Sequence, residues 1–249
     1  MTAPANDFPR WIKHFASAVG RTPSATVVVF PHAGGAAAAY RPLATALSAK
    51  GAETFIVQYP QRGERLRHPG AATIADLATE LFDAGNWRGV APLDLFGHCM
   101  GAVVAFEFAR VAEAHGVPVR RLWPSAGQAP STVAESGALP TTDADVLADM
   151  VDLGGTDPRL LDDQDFVELL VTAVQADYRA LSGYSCATDV QITADIHAVG
   201  GDRDHRIDRE WLRRWESHTA GRFELSLFDG GHFYIDDHLD EVAGLVSTR

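Results

Sequence analysis

Between Leu93 and Ala114 a short apolar strand, a five-residue turn and an apolar helix follow one another without a spacer: LDLF, GHCMG, then AVVAFEFAR. No other stretch constrains the chain as tightly. A strand that feeds straight into a helix must reverse within a few residues, and the G-x-C-x-G spacing provides for it. Gly97 and Gly101 remove side chains that would collide with the neighbouring strand and helix, while the central residue is held in a strained conformation with its side chain lifted clear of the sheet. The helix N-terminus just behind Cys99 favours a thiolate there. Cys99 is therefore the candidate nucleophile; the plainer alternative is a buried structural cysteine beside a glycine turn.

The same alternation recurs along the chain. Ala25–Phe30, ATVVVF, is a continuous β-branched run suited to a strand buried on both faces, and it stops at the turn Pro31-His32-Ala33-Gly34-Gly35. Thr54–Tyr59, Leu93–Phe96, Arg121–Ser125, Ile196–Val199 and Phe223–Phe228 read as further strands. Tyr40–Lys50, Ile74–Phe82, Ala102–Ala114, Asp163–Leu181, Asp208–Ser217 and Asp237–Leu245 read as helices. Such alternation predicts an α/β fold with a mostly parallel central sheet flanked by helices. It breaks between Thr132 and Gly183, where two or three helical patterns occur without a strand, so an insertion over the sheet is expected. Met1–Thr22 reads as a tail with one anchoring stretch around Trp11 and Phe15. No shift of composition marks a second domain, so the 249 residues read as one.

Charge narrows the function classes. There are 21 Lys and Arg against 33 Asp and Glu, a formal net charge of −12. That argues against general nucleic-acid binding, because phosphate attraction needs a basic face. No apolar run approaches the ~20 residues that cross a bilayer, and the N-terminus lacks the charged start and apolar core of a secretory signal. Two cysteines make no disulfide framework; Cys186 reads as an inert loop or packing residue. A cytoplasmic monomer that touches neither membrane nor nucleic acid is expected.

A nucleophile needs a base and an acid to orient it, in the chain order nucleophile, acid, base. His232 lies in Asp229-Gly230-Gly231-His232-Phe233-Tyr234, a loop after a strand, where the glycine pair leaves the imidazole room to reach the elbow. Ile196–Asp204 runs from a strand into a glycine turn and offers two acids. Asp204, four residues past Gly200, better suits a loop reaching under the histidine; Asp202 remains the alternative. Donors for an oxyanion are expected at the N–H of Met100, just after the nucleophile, and at the N–H of Ala33, in the loop after the first core strand. The histidines have no metal-ligand spacing and no Gly-x-Gly-x-x-Gly follows a strand, so neither a metal nor a nucleotide cofactor is expected.

With these stretches in hand, the chain resembles the type II thioesterases of polyketide and nonribosomal peptide synthetases, α/β-hydrolase-fold enzymes acting on acyl groups tethered to carrier proteins. The matching pieces are FPHAGGAAAAYRPLA (30–44), QYPQRGERL (58–66), LFGHCMGAVVAFEFAR (95–110), GGTDP (154–158) and GGHFYI (230–235). The resemblance implies Cys99, Asp204 and His232 as a triad, Ala33 and Met100 as the oxyanion hole, and a helical lid from about residue 135 to 184 within the single domain. It implies an acyl or peptidyl carrier protein, or a synthetase module, as partner, and a phosphopantetheine arm carried by the substrate in place of any cofactor of the protein's own. The chain departs from the family in four places. Cys99 replaces the usual Ser, Gln61 stands where the family usually has Gly, SAGQAP (125–130) replaces SGRRAP, and Gln175-Ala176-Asp177 replaces R-A-D. Hydrolysis through a Cys99 acyl-thioester is the expected reaction. A thioester intermediate also keeps its transfer potential, so acyl or aminoacyl transfer to another thiol or an amine is the alternative, and a catalytically silent docking protein a third. Five arginines, Arg203, Arg206, Arg209, Arg213 and Arg214, begin at the Asp204 loop. They form the expected carrier-docking patch, centred on Arg206 and Arg209, with Arg62 and Arg65 adding to it; a solvated helix face is the alternative.

Overall fold

A computed structural model describes residues 8–19, 22–155 and 158–248; Thr156 and Asp157 of the GGTDP stretch lie outside them. Seven strands form one sheet in the order β1 (Ile12–Phe15), β3 (Ala52–Val57), β2 (Ala25–Phe30), β4 (Leu93–His98), β5 (Val119–Ser125), β6 (Asp195–Gly201), β7 (Phe223–Phe228). Every neighbouring pair is parallel except β1 with β3.

The valine run of β2 explains the layering. Val28 and Phe30 pack towards α3 (Ile74–Ala84) and α4 (Met100–Ala114), whereas Val27 and Val29 pack towards α2 (Arg41–Ala49) and α8 (Leu239–Ser247). Both faces of the strand are covered, so it reads as apolar throughout where a half-exposed strand would alternate. From β2 the chain goes to β3 on one side and then returns to β4 on the other. The order reverses between β2 and β4, and the loops leaving their C-terminal ends part to open a crevice.

The stretch between β5 and β6 carries α5 (Asp143–Leu153) and α6 (Gln164–Ser182), each preceded by a short 3-10 turn. Val146, Met150, Val171, Val174 and Tyr178 give these two helices a small core of their own. The segment expected as tail instead holds a helical turn, α1 (Phe8–Trp11), and the edge strand β1, whose Ile12 pairs with Val57. Four residues are too few to show a period. What holds them is tertiary: Trp11 is buried, its carbonyl accepts from Gln58 N–H at 2.7 Å, and the Arg65 guanidinium lies 3.4 Å over its ring. The helix expected over Asp208–Ser217 is α7 (Arg209–Arg213) followed by a 3-10 turn over Arg214–His218. Among the described residues, no helix is long and apolar enough to cross a membrane.

Candidate active site

Cys99 sits at the end of β4 with φ 55° and ψ −122°, a conformation L-residues rarely adopt. A Cβ on Gly97 would stand 2.2 Å from the Gly101 carbonyl oxygen, and one on Gly101 would stand 2.1 Å from that of Phe30. Strand, turn and helix can only approach this closely with glycine at both places, and the turn then holds the sulfur out over the crevice at a cost of about 1–3 kcal/mol. The Cys99 N–H donates to the Ser125 carbonyl at 2.8 Å, tying the elbow to β5. Met100 opens α4, so its N–H has no intrahelical acceptor.

The loops after β6 and β7 bring the two other expected residues together. Asp204 Oδ2 lies 2.8 Å from His232 Nδ1, with both side chains buried. Asp204 Oδ1 accepts from the N–H groups of Arg206 and Ile207 at 2.9 and 3.2 Å. Asp202 is turned away: it is half-exposed and accepts from the Gly230 N–H at 3.0 Å. Burial works to raise the Asp204 carboxyl, but the His232 hydrogen bond and charge, with the two amides, hold it below the usual carboxylate range. Burial disfavours an imidazolium at His232, yet the negative charge at Cys99 and the hydrogen bond to Asp204 prevail and lift it to about 10. Nε2 makes no full hydrogen bond in this resting geometry; the sulfur acts on it through its charge, and such contacts commonly tighten only with substrate bound. Two neighbouring imidazoles behave oppositely. Burial and the His232 charge push His32 down to about 3 and hold His98 well below its ordinary value. Both are neutral at pH 7, so His232 is the one imidazolium of the three. His98 is oriented by a chain that runs from its Nδ1 to Ser125 Oγ at 2.9 Å and on to Tyr234 OH at 2.8 Å.

His32, Ala33, Cys99, His232 and Phe233 form the floor of a cavity roofed by Met150, Leu153, Gly154, Leu170 and Tyr178. Met150 and Tyr178 both line this space and belong to the small core of α5 and α6, whereas Leu169 faces solvent. The cavity measures only about 40 Å³, room for one or a few waters. The roof narrows the space over the sulfur, and Cys99 stays half-buried beneath it.

The expected arginine patch is not a free cationic surface. Arg206 is ion-paired with Asp149 at 2.6 Å and Asp152 at 2.9 Å, both on α5, so its charge is spent holding the roof. Arg203 pairs with Asp229, Arg213 with Glu210 and Arg214 with Glu135. Arg209 is exposed and alone of the five lacks an ion-pair partner among the described residues. Arg62 and Arg65 are buried and belong to the interior. Sequence reasoning also passed over Asp177 as a site residue; it forms a buried ion pair with Arg62 beside the loop that carries Ala33. The available signal was positional: Arg62 lies in QYPQRGERL, a stretch that resembles the family, and Asp177 is the residue retained where Gln175-Ala176-Asp177 departs from R-A-D.

A thioesterase-domain family model matches residues 25–249. The chain is 68% identical over 241 residues to the phenyloxazoline synthase MbtB of Mycobacterium tuberculosis, an alignment covering 97% of this chain and 17% of the synthase, so it spans about a sixth of that relative's length. It is 34% identical to the thioesterase PikA5 of Streptomyces venezuelae, covering 96% of this chain and 85% of that protein. Among solved structures, the type II thioesterase BorB from the borrelidin biosynthetic cluster superimposes with a TM-score of 0.80 at 35% identity, covering 95% of this chain and 96% of that one. YbtT, the type II thioesterase from the yersiniabactin pathway, does so with a TM-score of 0.80 at 25% identity over 95% and 96% of the two chains. With a family model across nine-tenths of its length and an α/β sheet to match, the chain belongs to the thioesterase family.

Proposed function

We propose that this chain hydrolyses acyl or aminoacyl thioesters borne on the phosphopantetheine arms of carrier proteins in nonribosomal peptide or polyketide assembly, with Cys99 as nucleophile. The observation that carries the reading is the strained Cys99 elbow standing beside the buried His232–Asp204 pair. The Cys99 thiolate attacks the thioester carbonyl, and the developing oxyanion is received by the amides of Ala33 and Met100. The C–S bond to the pantetheine breaks, and the His232 imidazolium gives its proton to the departing thiolate. Cys99 is now a neutral acyl-thioester. The largest influence raising His232 has gone, so the imidazole can act as a base in the second half. It takes a proton from water as the hydroxyl attacks the acyl carbon; the Cys99–acyl bond breaks, and thiolate and imidazolium are restored with release of the acid. The likeness to a phenyloxazoline synthase supports an aromatic, phenyloxazoline-type acyl group, and the apolar roof of Met150, Leu153, Leu170 and Tyr178 suits one.

The sulfur at position 99 favours a second reading, transfer to another thiol or an amine, because an acyl-thioester keeps the transfer potential that an oxyester would lose. One experiment separates the two. The protein is mixed with an acyl-loaded carrier protein and its intact mass followed with and without an acceptor thiol. Acyl-Cys99 that decays to free acid at the same rate in both supports hydrolysis; decay only with acceptor supports transfer. Loading that survives Cys99→Ala removes Cys99 from the mechanism.

A further inference from the structure

Asp177 and Arg62 touch no reacting atom in that scheme, yet both are buried beside it, with side chains 10% and 5% exposed. Their other bonds go to the loop that carries Ala33 and to the end of β3. Asp177 Oδ2 accepts from the Gly34 N–H at 2.8 Å. Arg62 Nε donates to the Gly35 carbonyl at 3.0 Å and Nη1 to the Pro60 carbonyl at 2.6 Å. The residues straight after Ala33 are thus gripped twice, Gly34 by its N–H and Gly35 by its C=O. The loop closes on itself through Gly35 N–H to the His32 carbonyl at 2.9 Å. Gly34 has φ 75°, and a Cβ there would stand 2.4 Å from the Val174 side chain, so α6 bears on the loop at the same point.

A neutral side chain would satisfy the Gly34 amide. An ionised acceptor makes a shorter and stronger bond, and Arg62 offsets the cost of burying it. If Ala33 rotated so that its N–H left the crevice, the next peptide would turn with it and the Gly34–Asp177 bond would break. We propose that Asp177, backed by Arg62, is a positioning residue that aims the Ala33 amide at the developing oxyanion. The inference rests on the acyl-enzyme reading above and adds to it the group that sets the oxyanion hole.

Two reactions of the same sulfur test it. Alkylation by iodoacetamide displaces iodide from a saturated carbon and forms no oxyanion; acylation by an acyl-pantetheine thioester does form one. Asp177→Ala is expected to slow acylation about 10- to 100-fold, the range for a misaimed oxyanion donor, and to leave alkylation within about twofold of wild type. Asp177→Asn keeps an acceptor for Gly34 and is expected to recover most of the acylation rate. Equal slowing of both reactions, no slowing of acylation, or an Asn variant no better than Ala overturns the inference. Should Asp177→Ala not fold, Arg62→Lys carries the same comparison: it keeps the charge and loses the fork that reaches Gly35 and Pro60. It is expected to slow acylation about tenfold with alkylation unchanged; parallel slowing or none overturns the inference. Wild-type protein that alkylates at Cys99 and never acylates would overturn the thioesterase reading itself, so the two failures are distinct.

Discussion

His232 owes its high proton affinity chiefly to the charge at Cys99, which the proposed acylation would neutralise. Replacing the sulfur should do permanently what acylation does transiently. In Cys99→Ala the His232 titration is expected to fall from about 10 towards the ordinary imidazole value near 6.5, followed by NMR of the ring nitrogens; a titration still near 10 would mean that Asp204 alone holds the proton. The departures from the family are informative at this scale too. Gln61 has φ 64° and Ala126 has φ 44°, and at both places the resembling family carries glycine. The backbone keeps its left-handed turns and accepts the strain of a side chain in each. The spacing of Gly97, Cys99 and Gly101 made the elbow legible because its reason is steric and local. The choice of Asp204 over Asp202 came from a loop-length argument, and the geometry that separates them is the turn of each carboxylate: one towards His232, the other towards the Gly230 amide.

At the scale of elements, the two roof helices are held in different ways. The buried Arg62–Asp177 pair fixes α6 to the body. The ties between α5 and the Asp204 loop are exposed or partly exposed: Arg206, about a third exposed, with Asp149 and Asp152, and His205 with Asp152 at 3.0 Å; the Arg206 attachment is worth roughly 1 kcal/mol or less. The space over Cys99 is narrow, about 40 Å³, and of the two helices that roof it α5 is the more lightly tied. Arg206→Ala is therefore expected to raise kcat/KM for a bulky acyl thioester up to about fivefold, the equivalent of that tie, while an acetyl thioester changes little; equal effects on both would place the gate elsewhere. Strands β2 and β7 were legible to the residue, because an unbroken β-branched run or a clean alternation bounded by turns leaves little choice. The edge strand β1 was not, since IKHF has no period to read and its place depends on Trp11 and Arg65, distant in sequence. The arginines misled for a related reason. Composition shows charge, and only the fold shows that Arg206, Arg213 and Arg214 are already neutralised by Asp149, Glu210 and Glu135.

For the molecule as a whole, the three site histidines set a pH window for stability. His32 and His98 have lowered folded values, so the unfolded chain takes up protons there first, and stability is lost as pH falls below about 6.5. Asp204, held low, adds stability above the unfolded carboxylate value near 3.9 that disappears as pH falls through its folded value. His232 works from the other side: its contribution is complete below about 6.5 and is lost as pH rises through about 10. The urea midpoint is therefore expected to peak near pH 6.5 and decline on both flanks. In Cys99→Ala the alkaline decline should end at lower pH and be smaller in total, which the same titration of midpoints would show.

The narrow space under the roof also bears on oxidative chemistry. A thiolate beside an imidazolium is the form of cysteine most open to oxidation, first to a sulfenic acid and then irreversibly beyond it. The narrow space over Cys99 admits a peroxide molecule more readily than a bulky disulfide such as oxidised glutathione. Neither cysteine is disulfide-bonded, and Cys186 lies beside Tyr184 and Glu107, away from the chamber lining. It is not placed to act as a resolving thiol. The roof helices that narrow this space therefore also hinder large disulfides from reaching Cys99, and a sulfenic acid formed there by peroxide would be reduced more slowly by a bulky thiol than by a small one.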